Sequence, residues 1–132
     1  MEPVSPVILV DTDILVDVLR GDGNALERID REGAGGLSVS AVTQMELIVG
    51  CRDTRELALL TRFLDRFKTV HLTAQASARA VGLVTEYRLS HGLRMPDALI
   101  AATALDGNLP LLSKNQKDYR FIAGLRLLAY PS

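Results

Sequence analysis

The apolar run Val7 to Val10 constrains the fold of this chain more than any other feature of its sequence. It reads Val-Ile-Leu-Val without interruption and stops at Asp11. A strand that helices cover on both faces shows such a run, because neither of its faces meets solvent. The run therefore predicts a buried strand of a parallel sheet, with Asp11 at its carboxyl end.

Short apolar segments alternate with helical patterns along the rest of the chain. The further predicted strands are Leu37 to Val39, Thr69 to Leu72, Leu109 to Leu112 and Leu125 to Leu128. Such alternation is typical of α/β proteins with a mainly parallel sheet of four to five strands. Because ligands bind at the carboxyl ends of such strands, the residues after Val10, Val39 and Leu112 are the first candidates for a site.

Three of the predicted helices bear on the site. Ser40 caps a helix that ends near Gly50, Thr73 starts a long helix, and Pro96 opens the segment DALIAATAL. The apolar stripe is predicted to be Val42, Met45 and Val49 in the first helix, and Ala76, Ala80, Leu83, Val84 and Tyr87 in the second. The third is apolar nearly all round, so we expect it to be buried on more than one side.

Composition limits the classes of protein that this chain can be. It has 132 residues, of which 48% are hydrophobic and 23% charged, which predicts one folded domain over residues 1–132 with a core at about 7–128. The net charge of −1 gives no chain-wide attraction to nucleic acid, so any such binding must be local. One cysteine excludes an internal disulfide and a multi-cysteine metal site. Because no segment approaches the length of a membrane span, we expect a cytoplasmic protein with no membrane partner.

Three acids occupy positions that are unusual for carboxylates. Asp11 ends an apolar strand, Glu46 lies within the apolar stripe of its helix, and Asp97 is in the first turn of the helix that is predicted to be buried. Each has an ordinary structural explanation: a helix cap for the first, an ion pair for the second, and the helix dipole for the third. Together they predict a cluster of inward-facing carboxylates.

A cluster of carboxylates without histidine or cysteine matches the oxygen ligands that Mg²⁺ or Mn²⁺ prefers. A divalent cation relieves the repulsion between the acids, lowers the pKa of a bound water and stabilises both oxygens of an in-line displacement at phosphorus. Phosphoryl transfer is therefore the predicted chemistry. After the strand that ends at Leu112, the residues Ser113, Asn115 and Asp118 could complete the cluster or serve as turn and cap residues.

Four segments, taken in order, resemble the PIN-domain nucleases, and specifically the VapC-type toxins of prokaryotic toxin-antitoxin pairs. They are VDTDILVDVLRG, SVSAVTQMELIVGCR, RMPDALIAATA and LPLLSKNQKDY, and the likeness runs from about Val7 to Leu128. The resemblance implies a three-layer α/β/α fold and a Mg²⁺- or Mn²⁺-dependent endoribonuclease. It also implies a homodimer and inhibition by a cognate antitoxin.

The resemblance also implies roles for individual residues. The three acids of the family, which act in catalysis and hold the metal, fall on Asp11, Glu46 and Asp97. Asn115 or Asp118 supplies the fourth metal ligand, and we favour Asp118. Asp13 stands where the family usually has Ser or Asn, so it either adds a carboxylate that faces the metal or caps a helix.

Local cations are the predicted means of holding RNA. Arg94 precedes Pro96-Asp97 and Lys114 follows a strand, so both are placed to contact a phosphate beside the metal. Helical spacing also brings Arg55, Arg62 and Arg66 onto one face, with Arg52 close to it; this stripe is either a solvated face or a partner surface. With three Phe, three Tyr and no Trp, the chain offers little material for base stacking, so backbone contacts are expected to dominate.

Other functions fit parts of the pattern. A receiver-like phospho-switch would use Asp53 and Lys114, and the pair Asp11 and Asp13 resembles the nucleophile motif of haloacid-dehalogenase-like phosphatases. A metal-free ribonuclease could use His71 and His91. A catalytically inactive PIN interaction module would keep the fold alone.

Overall fold

A computed structural model describes residues 7–33 and 36–131 and shows an α/β fold. The strands are β1 (Ile8–Val10), β2 (Leu37–Ser40), β3 (Lys68–Val70), β4 (Leu111–Leu112) and β5 (Leu127–Leu128). The helices are α1 (Thr12–Leu19), α2 (Gly23–Glu32), α3 (Ala41–Val49), α4 (Thr54–Leu64), α5 (Ala74–His91) and α6 (Met95–Asp106). A 3-10 turn covers Gln116–Asp118. None of the helices in these ranges is long and apolar enough to cross a membrane.

The sheet is parallel throughout, with the strand order β3-β2-β1-β4-β5. The chain leaves β1 toward β2 on one side and later returns to β4 on the other side, so the direction of winding reverses between β1 and β4. Val10 pairs with Leu112, and Asp11 N–H donates to the Leu112 carbonyl at 2.9 Å. A crevice forms beyond the carboxyl ends at such a reversal, and Asp11 and Ser113 lie there.

Two hydrophobic cores cover the two faces of the sheet. Alternate residues of β1 and β4 point to opposite faces: Leu9 and Leu111 contact the core beneath α5 and α6, while Val10 and Leu112 contact the core beneath α1 to α4. These layers confirm the predicted three-layer α/β/α fold with five parallel strands. The predicted stripe of α5 is also confirmed, with Ala76, Ala80 and Leu83 buried, as is the burial of α6.

The predicted stripe of α3 is confirmed at Val42 and wrong at Met45 and Val49. Met45 is 54% exposed and Val49 is 83% exposed, and the residues that pack inward are Val42, Thr43 and Leu47. Thr43 is buried at little cost because its backbone N–H donates to Ser40 Oγ and its hydroxyl lies 2.9 Å from the Thr12 hydroxyl. The strands β4 and β5 are shorter than predicted.

Candidate active site

Asp11 stands at the junction of β1 and α1, where it is the N-cap of the helix and only 4% exposed. Its Oδ1 accepts a hydrogen bond from Thr12 N at 2.8 Å, and its Oδ2 accepts one from the Ser113 hydroxyl at 2.8 Å. Burial, and then the charge of Asp13, raise the pKa of Asp11 to about 7. Asp11 is therefore a buried, fixed carboxylate that any nearby cation would favour in its charged form.

Asp13 fixes the loop that follows β4. Its Oδ2 accepts from Asn115 N at 3.0 Å, and its Oδ1 lies 3.3 Å from Lys114 N. The Ser113 hydroxyl is 3.3 Å from Asp13 Oδ2, so one serine stands between the two aspartates. Burial raises the pKa of Asp13. This residue thus binds backbone N–H groups of a neighbouring loop, and Asn115 contributes to the contact through its backbone.

Glu46 reaches the same end of the sheet from α3. It is half-buried, and its Oε1 accepts from the Thr12 hydroxyl at 2.7 Å. The Thr12 hydroxyl also lies 2.9 Å from the Thr43 hydroxyl, which in turn lies 3.2 Å from the Ser40 hydroxyl. Because Thr43 and Ser40 have no exposed surface, this row of hydroxyls is fixed by the core and fixes Glu46 in turn.

Asp97 enters the site from the first turn of α6. Its Oδ1 accepts a hydrogen bond from the hydroxyl of Tyr119, a residue that is 1% exposed. Burial raises the pKa of Asp97, as do the charges of Asp118 and Glu46, while the Tyr119 hydroxyl and Arg94 lower it. Burial and the charges of Asp11 and Asp97 hold the pKa of Tyr119 well above its ordinary value, so its hydroxyl stays a donor.

The structure brings the four predicted acids to one end of the sheet. Asp97 feels the charges of Glu46 and Asp118, and Asp11 feels the charge of Asp97. Arg94 acts on Asp97 from the N-cap of α6, and its contact with a phosphate stays a prediction. The Lys114 ammonium instead lies 2.9 Å from Asp17 Oδ2, so its contact with a phosphate stays a prediction.

Sequence reasoning did not find Tyr119 as part of this site. The signal available was its position directly after Asp118. The structure also removes the basis of one alternative. A receiver domain carries its phosphoacceptor at the end of a strand, whereas Asp53 is the N-cap of α4 and accepts from Glu56 N at 2.8 Å.

The donors of the site suit a hard divalent cation, because they are carboxylate and hydroxyl oxygens whose mutual repulsion a cation would relieve. As the side chains stand, no three His, Cys, Asp or Glu residues within 7–33 and 36–131 are spaced to hold a metal ion. Binding a cation therefore requires the carboxylates to turn toward one another, or water to complete the coordination shell. The residues therefore fit the chemistry of the ion.

A groove of about 600 Å³ leads away from the acids between α1, α3 and α4. Thr12 and Glu46 form its end at the cluster. Its walls combine apolar side chains, among them Leu19 and Leu59, which are about half exposed, with the charged side chains of Arg20, Arg52 and Glu56. The groove thus joins an apolar surface to the acidic cluster.

Comparison with known proteins places the chain in a family. The sequence pattern of the PIN domain matches residues 8–124. The chain is 37% identical over 111 residues to Ribonuclease VapC10 of Mycobacterium tuberculosis, covering 83% of each protein, and 27% identical over 132 residues to Ribonuclease VapC1 of Methanocaldococcus jannaschii, covering 98% of this chain and 91% of that one. A solved toxin-antitoxin complex from Klebsiella pneumoniae is similar with a TM-score of 0.78 at 29% identity, covering 92% of this chain and 96% of that chain. The chain belongs to the PIN domain family and is of the VapC type.

Proposed function

We propose that this chain is a toxin of a toxin-antitoxin pair that acts as a metal-dependent endoribonuclease. The observation that carries the proposal is the convergence of Asp11, Glu46, Asp97 and Asp118 at the carboxyl ends of β1 and β4, where they repel one another. Its relatives of the VapC type carry the name ribonuclease, which supports RNA as the substrate.

These four acids are the proposed ligands of Mg²⁺ or Mn²⁺. When bound, the ion supplies a lowered pKa for a coordinated water and neutralises charge that develops on the phosphate. The chain itself orients the ligands: Ser113 and Thr12 hold Asp11, and Tyr119 holds Asp97. Fixed ligands are needed because small displacements of catalytic groups cost large factors in rate.

Arg94 is the proposed contact for the scissile phosphate. It stands at the N-cap of α6, exposed and close enough to Asp97 to lower the pKa of that carboxyl. A phosphodiester that approaches four carboxylates needs such a cation at the entrance. Lys114 can serve as a second contact if it leaves Asp17.

The groove between α1, α3 and α4 is the proposed seat of the antitoxin. The Klebsiella pneumoniae relative was solved as a toxin-antitoxin complex, which supports a partner of this kind. An apolar segment of the antitoxin would cover Leu19 and Leu59, and an arginine of that segment would reach the acids at the Glu46 end.

Self-association is proposed through the outer faces of α5 and α6. Val81 and Met95 are 67% and 72% exposed there, and with Val84 and Leu99 they line a shallow apolar groove. An apolar surface of this kind is typical of an interface. Light scattering tests the proposal: a strict monomer at high micromolar concentration contradicts it.

Cleavage of structured RNAs by the purified chain tests the activity. We expect discrete fragments with Mg²⁺ or Mn²⁺ and none with EDTA. Asp11→Asn is expected to abolish cleavage, and Asp53→Asn is the matched control, since Asp53 is an exposed acid that caps α4 and asparagine caps equally well. Equal cleavage in the presence of the chelator contradicts the metal-dependent mechanism.

A further inference from the structure

Three rings gather on the surface where α5 ends. The His91 ring stacks on the Phe121 ring with a centroid separation of 4.1 Å and an interplanar angle of 14°. Tyr87 meets both rings edge-on, at 5.0 Å from Phe121 and 5.8 Å from His91. We call these three residues the ring cluster. Tyr87 and Phe121 are 34 residues apart in the chain, so sequence spacing does not predict that the three rings meet.

Hydrogen bonds hold the ring cluster in place, although His91 is exposed. Ser90 Oγ lies 2.8 Å from His91 Nδ1, and Tyr87 OH accepts from Ala123 N at 3.4 Å. The Arg88 guanidinium donates to the Gly92 carbonyl at 3.1 Å, which holds the turn that follows the histidine. His91 thus presents an exposed aromatic ring that is already ordered in the free protein, so a ligand that binds it loses little conformational entropy in ordering the ring.

The ring cluster is joined to the acidic site through both of its chain segments. From His91 the chain turns at Gly92 and reaches Asp97 in the first turn of α6. From Phe121 it leads back by two residues to Tyr119, whose hydroxyl binds Asp97. His91 therefore lies six residues before Asp97, and Phe121 lies three residues after Asp118, so two of the four acids share short segments with the rings.

These two segments also carry arginines: Arg94 lies between His91 and Asp97 in the chain, and Arg120 lies between Tyr119 and Phe121. Arg94 is exposed and acts on Asp97, and Arg120 is exposed beside Phe121. Aromatic faces next to arginines are the combination that binds single-stranded nucleic acid, in which bases stack and phosphates pair with cations.

We propose that the ring cluster binds single-stranded RNA beside the acidic site, with one base stacked on the open face of His91 and the neighbouring phosphates on Arg94 and Arg120. The choice of RNA rests on the proposed ribonuclease function. The cluster fixes one nucleotide at a set distance from the carboxylates and so determines which phosphodiester bond reaches them.

Binding of a fluorescein-labelled single-stranded RNA to the full chain, measured by anisotropy in EDTA, tests the proposal without cleavage. We expect His91→Ala to weaken binding by about 5- to 100-fold and His91→Phe to retain it, because stacking needs a ring and not an imidazole. His71→Ala is the matched control, since His71 is an exposed histidine after β3. Arg94→Ala and Arg120→Ala should also weaken binding and reduce its dependence on salt.

An oligonucleotide of the same length without bases separates stacking from a structural role. The wild type should bind the oligonucleotide without bases as weakly as the His91→Ala variant binds the RNA. The His91→Ala variant should bind both oligonucleotides with the same affinity. If His91→Ala binds RNA as the wild type does, or if the wild type binds none, the ring cluster is not an RNA site. Cleavage by the wild type with Mg²⁺ is measured in a separate assay. A failure of the ring cluster to bind RNA therefore does not contradict the ribonuclease function, and an absence of cleavage does not contradict RNA binding by the ring cluster.

Discussion

The hydroxyl of Tyr119 lies 3.2 Å from Oδ1 of Asp97, and it donates from the interior of the protein to a carboxylate at the edge of the site. Tyr119 follows Asp118, which also acts on Asp97 by its charge. The loop after β4 therefore both opposes and stabilises the charged form of the same carboxylate: Asp118 raises its pKa, and Tyr119 lowers it.

Tyr119→Phe should impair the site while leaving the core packed, because it removes only the hydroxyl. A hydrogen bond to a charged group contributes about 1.5–3 kcal/mol, so cleavage should fall roughly 10-fold or more. Mn²⁺ should also bind more weakly in isothermal titration. Loss of the hydroxyl raises the pKa of Asp97 further, so activity should fall more at low pH than at high pH. Unchanged Mn²⁺ binding and an unchanged pH profile contradict a positioning role for Tyr119.

Asp11→Asn should stabilise the protein in EDTA although it abolishes cleavage. Because burial and Asp13 raise the pKa of Asp11 from 3.8 to about 7, the folded state binds the proton more tightly than the unfolded state does. The free energy of unfolding that this proton contributes is fully present below pH 3.8 and is lost as the pH rises from there to about 7. The loss amounts to at most about 4 kcal/mol. The variant should be more stable than the wild type at pH 8, with a smaller difference at pH 5.

Urea unfolding at both pH values, with EDTA present, measures this effect. Asp97→Asn should change stability in the same direction, since burial also raises the pKa of Asp97. Asp53→Asn serves as the control and should keep the pH dependence of the wild type. Destabilisation by both site variants would show that the two acids are structural partners rather than members of a repelling cluster.

The ion pair between Lys114 and Asp17 gives a paired test of RNA binding. If Lys114 contacts phosphate, Asp17→Asn should strengthen RNA binding a few-fold by releasing the ammonium, while Lys114→Ala should weaken it by a similar factor. Anisotropy titrations at two salt concentrations measure both effects. Weaker binding in both variants would show that the ion pair supports the loop and that Lys114 does not reach the RNA.

The fold and the acids could be predicted because their signals are local in the sequence. An unbroken apolar run that ends at Asp11 indicates both a buried strand and its carboxyl end, and Pro96 before Asp97 marks a first helical turn. The contacts that orient these acids could not be predicted in the same way. Tyr119 lies 22 residues from Asp97, and only the packing of the loop against α6 brings them together.

The wrong prediction of Met45 and Val49 as buried residues of α3 has a different cause from the missed contact of Tyr119. The nine residues of this helix are apolar on most sides, so spacing alone allows more than one buried stripe. The choice depends on Thr43, whose hydroxyl is paired with Ser40 and Thr12 only once the helix and sheet have packed. Glu46 borders the inward face in either arrangement, so its contact with the Thr12 hydroxyl does not depend on which stripe is buried.

Metal and antitoxin should compete for the acidic end of the groove. Glu46 lines the groove and belongs to the carboxylate cluster, so an arginine of the antitoxin that binds there would occupy the place of the cation. Titration of the toxin-antitoxin complex with Mg²⁺ should therefore weaken antitoxin affinity more than an inert salt of equal ionic strength does.

Glu46→Gln separates this competition from general screening. The variant removes one carboxylate from the groove and keeps an acceptor oxygen for the Thr12 hydroxyl, so the local fold should persist. We expect antitoxin affinity to become less sensitive to Mg²⁺ in the variant, while its sensitivity to the inert salt stays near that of the wild type. An antitoxin arginine that occupies the acidic site has to compete with the bound cation. If antitoxin affinity instead depends on ionic strength alone and is the same for every cation, the antitoxin inhibits by covering the path of the RNA.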